Sequence, residues 1–234
     1  MKKYLILLVF ILFASASYAN DTELNLENSI QTRINTIGTK ILNANKLEKR
    51  VIFAYDEFGK KSLIKADKSL TKRQVVIFGE HYKMIETDDE LAGYIAREIP
   101  AAIRSYHGLG NGWLSSLKIK AAPKKYELVF DKLAVDYMVK AGYNPLGLIT
   151  FINKTYPQAR QDRISGHNLT SKRLAYIYER IYTEYPYFLE HNEYINNEYY
   201  QNFLLTSQEN RKLLQEKINN EEDKGKGKGK VKYE

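Results

Sequence analysis

The chain has 234 residues, with 36 Lys or Arg against 28 Asp or Glu for a formal charge of +8, and it contains four histidines and no cysteine. Without cysteine there is no disulfide framework, zinc ribbon, iron–sulfur centre or thiol nucleophile, and a metal site would have to draw on those few imidazoles and on carboxylates. With 44% hydrophobic and 12% aromatic residues the composition is that of a globular protein.

In chain order, Lys2 and Lys3 precede an apolar run from Leu5 to Phe13, and Ser17-Tyr18-Ala19 follows among small residues. This is the order of a secretory signal peptide, and the run is too short to span a bilayer. Residues 1–19 are therefore expected to leave on export to a periplasm or to the outside of the cell. Ile30, Ile34, Ile37 and Ile41 recur at helical spacing, which predicts a helix from Leu24 to Ala44. The period then shortens. Val51–Tyr55, Ser62–Ala66 and Gln74–Gly79 read as three strands of a small sheet.

From Thr87 the pattern is helical to the end. Thr87-Asp88-Asp89-Glu90 fits a capping box and opens a helix with Leu91, Ile95, Ile99, Ala102, Ile103 and Tyr106 on its apolar side. Pro123 suits the first position of the next helix and Gly142 its end. Two further helices are expected over 145–155 and 170–185, and a last amphipathic one near Asn197–Ile218. The fold class is thus α+β, a mainly helical domain over 20–223 with a three-stranded sheet near its start. Residues 224–234 read KGKGKGKVKYE, a basic tail that can bury nothing. With most of the excess charge in that tail and the leader, the folded body is close to neutral, which argues against nucleic acid as a partner. The tail is either a solvated handle or an attachment to an anionic membrane surface.

Glu98 stands among Ile95, Ile99, Ala101 and Ala102, so it needs a partner if it is buried and otherwise faces solvent at the border of the stripe. The order sheet, then Asp-Glu-Leu-Ala from Asp89, then Arg-Glu-Ile at 97–99 resembles the zinc metallopeptidases of family M forty-eight, the group of HtpX and BepA. In that family the helix carries His-Glu-x-x-His, in which two imidazoles hold zinc and the Glu activates the metal-bound water. Three later landmarks are similar too. Glu127-Leu-Val-Phe-Asp131 matches a Glu that is the third zinc ligand and an Asp that orients a ligand. Lys132 to Pro145 resembles the run into an Ala-Gly-Tyr-Asp-Pro turn. His167 and Arg173 match a loop His and a helix Arg that close over the active site.

The resemblance implies a zincin-like fold, and the departures from it bear on activity. Aligned on Glu98, the zinc-binding histidines fall on Arg97 and Ala101, so Glu127 would be left as a lone ligand and Glu98 as an orphaned base. Pro100 also stands where the motif needs an unbroken turn, which predicts a kink. His81, His107 and His191 do not restore a ligand set by their spacing and are expected at the surface. Arg97 would put a fixed positive charge near the metal position and pair with Glu98, Glu127 or Asp131. The resulting expectation is an exported pseudopeptidase without a cofactor that binds polypeptide or a partner protein by strand addition to the sheet edge. The alternative is an active zinc metalloendopeptidase using Glu98, Glu127 and His167.

Overall fold

A computed structural model describes residues 25–59, 73–106, 123–156 and 169–223. The leader at 1–19, the strand expected at Ser62–Ala66, His107, His167 and the Lys/Gly tail lie outside them. Residues 25–44 form α1, whose Ile34, Ile37 and Ile41 are buried as the isoleucine spacing requires. Two strands follow, β1 (Ile52–Asp56) and β2 (Gln74–Phe78). They pair in parallel, Ile52 opposite Gln74 and Asp56 opposite Phe78, so the described sheet has two strands where three are expected.

The outer side of β1 is already occupied. Gln31 of α1 donates from Nε2 to the Phe53 carbonyl at 3.1 Å and accepts at Oε1 from the Tyr55 amide at 2.9 Å. A side-chain amide thus bonds as a neighbouring strand would, which closes that edge to strand addition. Beneath it the Phe53 ring fills the space that a side chain at Gly38 would need.

A short helix α2 (Gly79–Tyr82) leads from β2 to the long α3 (Asp88–Tyr106). Thr87 accepts the Glu90 amide at 3.2 Å, as a capping box requires, but the Glu90 carboxylate reaches back to the amide of Glu86 instead of Thr87. Leu91, Ala92, Ile95 and Ile99 are wholly buried. Pro100 lies inside this helix, which runs on for six residues beyond it.

Helix α4 (Pro123–Lys140) packs on α3 and ends as Gly142 predicts. Gly142 has φ +73°, its amide donates to Val139 and the Tyr143 amide donates to Met138, the two bonds of a Schellman closure. Next comes α5 (Leu146–Thr155), almost entirely buried between α3 and the later helices. It approaches α3 through Gly147, where a Cβ would lie 2.8 Å from the Asp89 backbone. Helix α6 (Leu169–Glu184) packs on α4, and a single turn, α7 (Tyr187–Glu190), is too short for periodicity to reveal.

The single last helix expected from Asn197 is divided into α8 (Glu198–Thr206) and α9 (Gln208–Asp223). Asn197 caps α8 by accepting the amides of Tyr199 and Tyr200. At the break, the Ser207 hydroxyl donates back to the Phe203 carbonyl and the Arg211 guanidinium bonds both that hydroxyl and the Leu204 carbonyl. These side chains satisfy carbonyls that the next helical turn would otherwise take. No helix of the described residues is long and apolar enough to cross a membrane.

Candidate functional site

Asp131 and Arg173 form the centre of the site. Asp131 lies midway along α4 and Arg173 in the second turn of α6, and both are 0% exposed. Arg173 donates from Nε to Asp131 Oδ2 at 2.7 Å and from Nη2 to Oδ1 at 3.0 Å, a fork-to-carboxylate pairing. Burial opposes the Arg173 charge, but the Asp131 carboxylate outweighs it and holds the guanidinium above its ordinary pKa. A second guanidinium joins from α3. Arg97, 6% exposed, donates from Nε to the same Asp131 Oδ1 at 3.2 Å and from Nη1 to Glu98 Oε1 at 2.6 Å. Glu98 remains 18% exposed at its side chain and is the outward end of the chain Arg173–Asp131–Arg97–Glu98.

The structure therefore brings together Arg97, Glu98, Asp131 and Arg173 from three helices. Glu127 lies in α4 one helical turn before Asp131, and its side chain, like the whole of His167, is outside the described residues. Among the described residues no group of three or more His, Cys, Asp or Glu side chains is placed to hold a metal ion. What is present does not suit a dication: both Asp131 oxygens accept guanidinium protons, Glu98 is bonded to Arg97, and two fixed positive charges share the cluster.

His81 is buried, contrary to the expectation of a surface position. It lies in α2 with its ring edge-on to those of Tyr94, Phe151 and Tyr156, and its nitrogens stand 3.1 Å from Tyr94 Oη and 3.2 Å from Tyr156 Oη. Tyr94 stacks on Phe151 at 4.8 Å. Burial, then the nearby Glu98 charge, pushes the Tyr94 phenol well above its usual pKa. Burial also raises Tyr156, where Arg97 and Arg173 act in the opposite direction. This aromatic cluster thus borders the charge network. His191 is exposed, as its polar surroundings suggest.

Sequence reasoning misses Tyr94, Tyr156 and the burial of His81. Tyr94 carries a local signal, being one turn before Glu98 on α3. His81 and Tyr156 are 75 positions apart, and only tertiary structure joins them.

Comparison with known proteins returns no matching family model, no matching curated protein and no matching solved structure.

Proposed function

We propose that the chain is an exported, metallopeptidase-like pseudoenzyme that binds polypeptide without cleaving it. One observation carries this reading: Arg97, at the position where the resemblance calls for a zinc-binding imidazole, is buried and bonded to both Glu98 and Asp131. A guanidinium there neutralises the carboxylates that a metal would otherwise face and supplies no Lewis acid, and without one a bound water keeps its high pKa. The zincin-like fold and export by the leader at 1–19 belong to the same reading, and the Lys/Gly tail would add contact with an anionic membrane. Because Gln31 occupies the outer side of β1, polypeptide is received at the face bordered by Glu98 and Tyr156 and not by strand addition there.

Zinc stoichiometry on the purified full chain tests the proposal directly. Less than a tenth of a zinc per chain is expected after equilibration with the free metal and desalting; one tightly held zinc, with cleavage of an unfolded protein, would overturn it in favour of a metalloendopeptidase.

A further inference from the structure

The last two helices read in the sequence as one. Tyr200, Leu204, Ser207, Arg211, Leu214 and Ile218 follow one another at intervals of four and three, so a single helical face runs through the break without a change of register. Each half of that face has its own support, α8 packing on α5 and α9 on α6. The backbone is nearly continuous as well. The Ser207 amide donates to the Phe203 carbonyl at 3.0 Å and the Arg211 amide to that of Ser207 at 2.9 Å, as in an unbroken helix. Ser207 has φ −105° and ψ 4°, so roughly 45° in each dihedral separates it from helical geometry.

Side chains of Ser207 and Arg211 hold the bend. The Leu204 carbonyl, which the Gln208 amide would take in a straight helix, accepts Arg211 Nη2 at 2.8 Å instead. Arg211 Nε donates to the Ser207 hydroxyl at 3.0 Å, and the same guanidinium lies 5.6 Å from the Tyr178 ring centre and 5.7 Å from that of Phe203. Beyond this clamp the hold on α9 is slight. Among its described residues Leu214 and Ile218 are the buried apolar side chains, Gln215 donates to Tyr178 Oη at 3.1 Å, and Leu213 is exposed.

We propose that Ser207 and Arg211 form a hinge clamp and that its released state is exchange: α8 and α9 join into one helix over 198–223, whose second half docks on α6 of another copy of this chain. The α6 surface around Tyr178 is then an interface, and its partner is this chain's own α9. Exchange re-forms between copies the contacts that each chain otherwise makes within itself, so complementarity is already present. Two things differ between the states. The released hinge gains the ladder bond at Leu204, and rising concentration favours the paired state by mass action. None of this depends on what the charge cluster binds.

Two substitutions in the full chain separate exchange from other association. Ser207→Ala and Ser207→Gly remove the same hydroxyl, but alanine favours a helix interior and glycine disfavours it. With one hinge in each chain, the alanine variant should dimerise about twentyfold more tightly than the glycine variant. Light scattering would read this as a mass rising from 27.2 kDa to twice that value. In dimers refolded from ¹³C,¹⁵N-labelled and unlabelled chains, the labelled Gln215 side-chain amide should show a filtered NOE to an unlabelled Tyr178 ring. Equal dimerisation of the two variants, monomers of both at millimolar concentration, or a dimer in which that NOE stays within one copy would each overturn the exchange. If either variant fails to fold, the unaltered chain at millimolar concentration decides by the same NOE: its appearance between copies supports exchange, and its absence overturns it.

Discussion

Asp131 is held by two guanidiniums, and its removal should have the largest effect of any single change at the site. Asp131→Ala leaves Arg173 buried without the carboxylate it is bonded to and takes one carboxylate from Arg97, so it should cost about 4 kcal/mol of unfolding free energy in a urea titration. Arg97→Ala leaves Asp131 still bonded by Arg173 and should cost less, about 3 kcal/mol, the deficit falling on Glu98. A loss below about half a kcal/mol for Arg97→Ala would mean that the pair contributes nothing. The pairing of Arg97 with carboxylates was legible because Glu98 stands next to it in an apolar stripe and a buried charge needs a partner. Its second partner was one of three candidates, and choosing Asp131 required the crossing of α3 over α4. The burial of His81 was not legible, since an isolated histidine after a strand looks the same whether its helix faces water or α3.

Among the elements, the helices follow from periodicity where a long apolar stripe exists: the stripes of α1 and α3 are visible without any structure, whereas α4 is placed by Pro123 at its start and Gly142 at its end. Their ends are legible where the chemistry is local and distinctive. Gly142 is such a case, because a φ of +73° is easy for glycine and strained for other residues. The break at Ser207 is different, since a serine bonding its own helix is indistinguishable in the sequence from a serine facing water. Two glycines should separate backbone strain from crowding in a thermal or urea measurement. Nothing lies near a Cβ at Gly142, so Gly142→Ala should cost about 1 kcal/mol through its backbone conformation alone. Gly147→Ala would drive a methyl group into the Asp89 backbone and should cost about 3 kcal/mol, loosening the contact of α5 with α3. If the two changes cost the same, the close approach of these helices is not a constraint.

For the molecule as a whole, the tyrosines decide the response to alkali. Burial raises the phenols of Tyr94, Tyr156 and Tyr194, and burial with the Asp136 hydrogen bond pushes Tyr185 up to about 12. Tyr200, buried on the helix that packs against α5, is also pushed up to about 12. The folded state therefore keeps protons that the unfolded chain releases near pH 10. Stability from these groups is complete below about pH 10 and is lost as the pH rises through their folded values. Thermal midpoints should hold steady to about pH 9.5 and then fall steeply, with phenolate absorbance rising in the same cooperative step as the loss of helix. Gradual phenolate absorbance ahead of unfolding would show that the rings are more accessible than their burial indicates. The parallel pairing of β1 with β2 also belongs to this scale: strand patterns reveal that strands exist, but not their direction.

Helices α4 and α6 are fastened by three ion pairs in parallel order, Asp131 to Arg173, Lys132 to Glu179 and Asp136 to Arg180. The first is sealed from solvent, whereas Lys132 and Arg180 are each about a third exposed at the side chain. Dissolved ions shrink the reach of exposed charges to about 3 Å at molar ionic strength and leave buried ones nearly untouched. Rising salt should therefore unfasten this helix pair from one end, like a zip with a fixed stop. Amide exchange would accelerate around Glu179 to Glu184 while the turn holding Arg173 keeps its protection.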